Sequence, residues 1–174
     1  YEVSRDDQDE FSFLSHQKAD SATVEGRFED EIVQVTRSIT DPQTKGVLLD
    51  KDEGIRTDTS TVALSGLRPS FRVSGSVTAG NSSQMSDAAA AVVLMSDRKA
   101  AELSMATKAI YRSFAVAGVD PDVMGIGPVE AVPKALEQAG VTSGDLDLIE
   151  LNEAFAAQSL AVIRAMDFDP ELVN

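Results

Sequence analysis

The second half of the chain alternates between strand-like and helix-like patterns, and this alternation constrains the fold more than any other feature of the sequence. Residues 109–117 and 146–151 are short apolar or alternating runs of strand length. The apolar residues of 129–139 follow helical spacing up to a stop at Gly140, and 155–166 has the length of a buried helix. Strands that alternate with helices predict an α/β fold in which helices pack on a sheet.

The first half of the chain predicts fewer regular elements. Ser4 is placed to cap a helix that Gly26 would end, with Asp9 near the positive end of the helix dipole. The run 88–95 is apolar throughout, which fits either a strand buried on both faces or a buried helix. The other predicted elements are strands over 31–36, 47–49 and 73–78, a turn over 41–46, irregular chain over 50–72, and a short helix capped by Ser96.

The composition excludes several kinds of site and partner. The 174 residues contain no cysteine, which removes thiol nucleophiles, disulfides and thiolate metal sites, and His16 is the only histidine. A formal net charge of −14 would repel a nucleic acid backbone. No apolar run reaches the roughly 18 residues of a membrane-spanning helix. We therefore expect no metal site, no nucleic acid partner and no membrane insertion.

Two short segments carry residues that suit ligand binding. Asn152 and Glu153 directly follow the predicted strand 146–151, at the edge where α/β sheets bind ligands. The carboxamide of Asn152 can stabilise a developing oxyanion without titrating, or it can simply cap the next helix. Residues 79–84 are small and hydrogen-bonding, which predicts a turn where the backbone approaches a ligand closely.

Taken in order and spacing, five segments of the chain resemble the thiolase family of acetyl-CoA acyltransferases. The most specific in combination are Thr78-Ala-Gly-Asn81 and Asn152-Glu-Ala-Phe155, either of which would be weak alone. The opening helix and the region after Gly26 are similar to the helical insertion of this family. The five segments are 4–11, 26–33, 78–96, 118–128 and 145–158.

The resemblance implies a partial thiolase-like α/β fold, made of a loop domain and parts of both mixed-sheet halves. Residues 1–77 would form the loop domain over coenzyme A, 78–106 the end of the amino-terminal half, and 107–174 the start of the carboxy-terminal half. In this family the nucleophilic cysteine lies upstream of the matching region, and the catalytic histidine lies downstream of it. The sequence is therefore expected to be an internal part of a longer thiolase.

The chemistry that the resemblance implies is acyl transfer between a 3-oxoacyl-CoA and coenzyme A, as thiolytic cleavage or Claisen condensation. One cysteine would carry the acyl group, a second would move a proton, and a histidine with an asparagine-held water would form an oxyanion hole. Of these groups the chain contains only the asparagine, Asn152. The chain alone is expected to be inactive. The alternative is a non-catalytic thiolase-like module that binds acyl-CoA or a partner subunit.

Binding residues are carried over from the family position by position. Without the resemblance, Arg56 would be interpreted as an ordinary surface charge, Ser83 as a turn hydroxyl, and Met124 and Phe155 as packed core residues. With it, the predicted binding residues are Ala79, Gly80, Ser83 and Met85 along pantetheine, Met124 and Phe155 at the thioester, and Arg56 near the nucleotide.

Substrates and partners also follow from the resemblance. We expect coenzyme A and acyl-CoA as substrates, no permanently bound cofactor, and a homo-oligomer. We expect a role in fatty acid metabolism such as β-oxidation. The expected compartment is the cytoplasm, with an organellar matrix as the alternative.

Overall fold

The structure, a computed structural model, describes residues 1–37 and 47–174, and the chain divides into two compact units. The first unit consists of Tyr1–Gln84 and Glu153–Leu160, and the second of Met85–Asn152 and Ala161–Asn174. The helices are α1 (Arg5–Val24), α2 (Thr61–Ser65), α3 (Asp97–Glu102), α4 (Gly127–Ala139) and α5 (Ala156–Met166), and the strands are β1 (Val35–Arg37) and β2 (Val47–Leu49). Short 3₁₀ segments occupy Pro121–Ile126, Ser143–Asp145 and Pro170–Leu172.

Helix α1 confirms the helix predicted at the start of the chain. The Ser4 hydroxyl accepts a hydrogen bond from the Asp7 amide at 3.0 Å, which satisfies one of the free amides of the first turn. Gly26 follows the helix with φ 71°, a left-handed conformation that glycine adopts without strain. Asp9, expected to serve the helix dipole, is instead buried and accepts a hydrogen bond from Arg5 Nε at 2.7 Å.

Strands β1 and β2 form an antiparallel pair in which Val35 lies opposite Leu49. The prediction for 47–49 is confirmed, whereas β1 begins four residues later than the predicted strand 31–36. The later start of β1 has a local cause. The amides of Glu31 and Ile32 both bond to the carbonyl of Phe28 and extend the turn after α1. The turn predicted over 41–46 lies outside the described residues.

The strands predicted over 73–78 and 109–117 are wrong, since β1 and β2 form the sheet found among residues 1–37 and 47–174. At the first position the Gly75 amide bonds to the Arg72 carbonyl at 2.9 Å and makes a turn. The apolar run 88–95 is not buried either, and Leu94 is 80% exposed. A strand pattern forms a strand only where a neighbouring strand supplies hydrogen bonds, and the described residues supply none at these places.

The segment 50–72 is mostly irregular, as predicted, except that it contains α2. Ser60 caps this short helix by accepting a hydrogen bond from the Ala63 amide at 3.1 Å. Leu64 is the buried residue of α2, so that the helix is anchored by one apolar side chain. The helix predicted after Ser96 is confirmed as α3, where Ser96 accepts from the Lys99 amide at 3.2 Å.

The second unit contains a parallel backbone pairing near the end of the chain. The Ile149 amide bonds to the Leu172 carbonyl at 2.8 Å, and the Asn174 amide bonds to the Ile149 carbonyl at 2.7 Å. This pairing is an isolated parallel bridge between Ile149 and Val173, and α5 lies between these two residues along the chain. The strand predicted over 146–151 is therefore reduced to a single bridge at Ile149. The helices predicted over 155–166 and 129–139 are confirmed as α5 and α4. Val162 of α5 is fully buried, and Gly140 ends α4 with φ 71°.

Candidate functional site

The small-residue loop, residues 78–84, is a tight turn fixed by its own polar groups. The Thr78 amide donates to Asn81 Oδ1 at 2.8 Å, and the Gly80 amide donates to Thr78 Oγ1 at 3.2 Å. Thr78 and Asn81 are both buried, which shields these hydrogen bonds from water. The turn predicted at this place is confirmed.

Gly80 is the residue of this loop that its surroundings require to be glycine. A Cβ atom at this position would lie 2.5 Å from Leu64 Cδ2 and 2.5 Å from Leu67 Cδ1. Carbon atoms in contact are normally about 3.5–4.0 Å apart. The loop backbone therefore lies against the side chains of α2 and the residues after it, with no space for a side chain between them.

The loop pairs with the segment that begins at Glu153, although the two are far apart in the sequence. The Ser83 amide donates to the Ala154 carbonyl at 3.0 Å, and the Ala156 amide donates to the Asn81 carbonyl at 3.0 Å. Between these bonds Ser82 and Phe155 form an antiparallel bridge. The two motifs that carried the family resemblance thus meet, within the first unit, through their backbones.

An aromatic pair lies beside this junction. The rings of Phe71 and Phe155 meet edge to face, with centroids 6.2 Å apart and planes at 72°. Phe155 is 37% exposed and Phe71 is 73% exposed, so neither is a core residue. Sequence reasoning missed Phe71, for which the available signal was a large aromatic residue in an irregular, proline-containing segment.

The start of α5 excludes one of the two interpretations of Asn152, that of a helix cap. The helix begins at Ala156, and the Ser159 amide bonds to the Phe155 carbonyl at 3.0 Å, so Phe155 holds the N-cap position. Asn152 precedes that position and does not cap the helix, contrary to the simpler interpretation of its spacing. Its side chain is exposed. Glu153 is held by the Ser15 hydroxyl, which donates to Glu153 Oε2 at 2.6 Å.

The remaining predicted residues of the first unit lie on its surface. Arg56 is exposed, and its backbone amide donates to His16 Nδ1 at 3.2 Å, so the lone histidine holds the chain at this arginine. Ala79 is exposed beside half-buried Gly80. The Ser83 hydroxyl donates to the Gln84 carbonyl at 3.2 Å, which fits the interpretation as a turn hydroxyl. Thus Ala79, Gly80, Ser83 and Phe155 belong to one junction.

Asn152, Met85 and Met124 belong to the second unit. Met124 lies in the 3₁₀ segment Pro121–Ile126 and is 77% exposed, so the alternative of core packing is wrong for it. Met85 is also fully exposed. Exposed methionines are adaptable apolar surfaces, suited to contact with a ligand or with further polypeptide.

Charge and metal chemistry add little at the junction. Hydrogen bonds from the Thr142 amide and hydroxyl lower the pKa of Asp145, and Arg27 lowers the pKa of Glu25, but both groups lie elsewhere on the surface. The described part of the chain contains no cluster of three or more His, Asp or Glu side chains that could hold a metal ion. Nor does any helix in residues 1–37 and 47–174 combine the length and apolarity needed to cross a membrane.

Comparisons with known proteins show which family the chain resembles over its length. Residues 1–98 match the family model of the thiolase N-terminal domain, and residues 105–174 match that of the thiolase C-terminal domain. The chain is 53% identical over 180 residues to a 3-ketoacyl-CoA thiolase of Bacillus subtilis, in an alignment that covers 100% of this chain and 46% of that protein.

Two solved structures are similar over the whole chain. The acetyl-CoA acetyltransferase of Bacillus anthracis has a TM-score of 0.96 and 46% identity, covering 100% of this chain and 43% of that one. The dimeric peroxisomal thiolase of Saccharomyces cerevisiae has a TM-score of 0.90 and 43% identity, covering 98% of this chain and 42% of that one. The chain thus spans less than half the length of each of these proteins. The fold predicted from the sequence, a partial thiolase-like α/β fold, is confirmed.

Proposed function

The chain belongs to the thiolase family, and from this premise we propose that it forms part of an acyltransferase for 3-oxoacyl-CoA and coenzyme A. The proposed reaction is thiolytic cleavage or its reverse, Claisen condensation. Relatives called 3-ketoacyl-CoA thiolase and acetyl-CoA acetyltransferase support this pair of directions. Because the chain contains no cysteine, the nucleophile in this proposal comes from polypeptide beyond these residues.

The observation that carries the proposal is the backbone junction between the small-residue loop and the segment at Phe155. Ala79 is exposed and has a small side chain, so that a thin ligand such as pantetheine could approach the backbone there, while Gly80 packs the loop against Leu64 and Leu67. Phe155, with Phe71 against its edge, offers an apolar wall beside the same loop. We assign Ser83 to the loop edge, where its amide is already held by the Ala154 carbonyl.

The nucleotide end of coenzyme A needs positive charge, which this acidic chain must supply locally. Arg56, Arg68 and Arg72 are exposed in the same irregular region of the first unit. A guanidinium group can hold two phosphate oxygens at once through its planar pair of donors. We therefore assign Arg56 to the phosphates, with its backbone fixed by His16.

Asn152 is the one catalytic group that we assign to this chain. In this role its amide N–H group donates to a water or directly to the thioester oxygen, where negative charge develops during enolate formation. Its exposed side chain and its place before the helix cap support the role. Met85 and Met124 are assigned to the ligand surface on the basis of their exposure.

The larger organisation is proposed on the same premise. Residues 1–77 form the loop domain, 78–106 complete the amino-terminal half, and 107–174 begin the carboxy-terminal half. A homo-oligomer is supported by the dimeric yeast relative. For the compartment we keep the cytoplasm, with an organellar matrix as the alternative that the peroxisomal relative supports.

The decisive experiment is Asn152→Ala in the full-length protein that contains this chain, assayed by thiolytic cleavage of a 3-oxoacyl-CoA. Loss of an oxyanion donor should lower kcat about 100-fold or more, with the KM for coenzyme A nearly unchanged. The matched control is Asn174→Ala, which removes an exposed asparagine that bonds to Glu150 and should leave kcat unchanged. An unchanged kcat for Asn152→Ala contradicts the assigned role. Saturable binding of coenzyme A without turnover by the unmodified protein would favour the non-catalytic module instead.

A further inference from the structure

A buried ionic hydrogen-bond network connects α1 to the small-residue loop. Asp9 is 3% exposed and Asn81 is 2% exposed, and Asn81 Nδ2 donates to Asp9 Oδ1 at 3.0 Å. The other carboxylate oxygen of Asp9 accepts from Arg5 Nε at 2.7 Å. A buried carboxylate is costly unless it is paired and hydrogen-bonded, so both contacts are needed to keep Asp9 in this place.

Arg5 ties the network to the chain around α2. Its Nη2 atom donates to the Leu64 carbonyl at 2.7 Å and to the Leu67 carbonyl at 3.0 Å. These are the residues whose side chains pack against Gly80. Arg5 therefore fixes, from one side, the surface on which the loop lies.

Asn81 connects the hydrogen-bond network to other residues of the loop. Its Nδ2 atom donates also to the Ser76 carbonyl at 3.1 Å, and its Oδ1 atom accepts from the Thr78 amide at 2.8 Å. Its own carbonyl accepts from the Ala156 amide, which links the loop to the start of α5. One carboxamide thus closes the turn and joins it to the second motif.

The geometry points to Asp9 as a positioning residue for the pantetheine loop. A carboxylate can only accept hydrogen bonds, so Asp9 forces the amide nitrogen of Asn81 toward itself and the amide oxygen toward the Thr78 N–H. A neutral amide at position 9 would turn an N–H group toward either Arg5 or Asn81, so that one of the two bonds would be lost and the contact that holds the loop to α1 would weaken. The assignment of pantetheine as ligand rests on the proposed function, whereas the fixing of the loop does not.

The test compares Asp9→Asn, Asn81→Asp and the double variant in the full-length protein. Asp9→Asn places two N–H donors against each other, and Asn81→Asp places two carboxylates against each other. Each change should raise the KM for coenzyme A about tenfold. Amide hydrogen exchange at Thr78 and Gly80 should become faster in both. In the double variant the new amide at position 9 can donate to the new carboxylate at position 81, which still accepts from the Thr78 amide but loses the bond to the Ser76 carbonyl. Recovery should therefore be partial, with the increase in KM falling from about tenfold to about threefold or less and the exchange at Thr78 and Gly80 becoming slower than in either single variant.

Val162→Ala separates positioning from general stability. Val162 is fully buried in α5, and its truncation lowers stability without touching the loop, so the KM for coenzyme A should stay unchanged. Unchanged exchange at Thr78 in Asp9→Asn, an absence of recovery in the double variant, or an equal KM increase in Val162→Ala would each overturn the inference. If the unmodified protein does not cleave 3-oxoacyl-CoA, the proposed function fails, and the exchange data still decide whether Asp9 holds the loop.

Discussion

Gly80→Ala is expected to destabilise the first unit and to weaken coenzyme A binding, because one methyl group enters a filled space. The new Cβ would lie 2.5 Å from methyl carbons of both Leu64 and Leu67, about 1 Å short of a normal contact. Leu64 is buried and cannot turn into solvent, so the loop backbone must move. Overpacking of this kind costs about 1–3 kcal/mol.

A smaller term acts in the opposite direction. Alanine restricts the unfolded chain more than glycine does, which stabilises by about 0.4–1 kcal/mol where the native backbone accepts it. Gly80 is not among the glycines with positive φ, so its backbone accepts alanine. The net expectation is a loss of about 1.3 kcal/mol of unfolding free energy, from the middle of the overpacking range, about 2 kcal/mol, less the middle of the entropy range, about 0.7 kcal/mol.

The assay is urea denaturation of the full-length protein followed by circular dichroism, with KM for coenzyme A measured in parallel. Gly118→Ala is the matched control, because a Cβ at Gly118 meets nothing within 4 Å; it should leave the KM unchanged and show only the stabilising entropy term of about 0.4–1 kcal/mol. In a Leu67→Ala background one of the two contacts is gone, so the cost of Gly80→Ala should fall by at least about 0.5 kcal/mol. The reasoning is refuted if Gly80→Ala unfolds at the same urea concentration as the unmodified protein.

Three further predictions concern the surface of the chain. Arg56→Ala should raise the KM for coenzyme A more than that for a pantetheine-only analogue in steady-state assays, and an equal change would remove Arg56 from the nucleotide site. His16→Ala should leave kcat unchanged, because its contact is to the Arg56 backbone; a collapse of kcat would contradict this. The pKa of Asp145 lies below its ordinary value because Thr142 donates to its carboxylate, so this contact stabilises fully above the ordinary pKa and is lost as pH falls through the lowered one. Asp145→Asn should therefore remove that acid-range dependence of stability from a urea series, and an unaltered dependence would contradict the assignment.

The parts of the fold that the sequence predicts well are those that depend on local chemistry. Ser4, Ser96 and Gly140 mark helix ends because a hydroxyl or a left-handed glycine acts on residues a few positions away. The turn at Thr78 is of the same kind. Such signals are contained in short stretches of sequence, and the structure follows them within a few residues.

The predicted strands show why the rest of the fold could not be predicted in the same way. The apolar runs 88–95 and 109–117 have strand composition, but a strand also needs a partner and covering layers from elsewhere. The described residues provide neither for these runs, and their large side chains are mostly exposed. An apolar run thus indicates only that a segment tends to form a strand. Whether the strand forms depends on a partner strand and covering layers that other parts of the polypeptide must supply.

The network around Asp9 could not be foreseen for a related reason. From the sequence, the favourable charge of an aspartate near the positive end of the helix dipole is enough to explain Asp9. No residue near Asp9 in the sequence indicates that it contacts Asn81. Only the packing of α1 against the loop brings the carboxylate to the carboxamide. A burial prediction for α1 would also have failed, because the buried residues of this helix are Gln8 and Asp9 and not its apolar ones.

Asn152 shows how one helix boundary changes a functional interpretation. Spacing alone allowed it either to cap α5 or to face a substrate, and the cap is the commoner use of such a residue. Because α5 begins only at Ala156, the segment after Asn152 must be held by something other than helix capping. The Ser15 hydroxyl on Glu153 and the Ser83 amide on the Ala154 carbonyl provide that support. Capping of α5 is thus excluded for this carboxamide, and the substrate-facing role stays the prediction that Asn152→Ala tests.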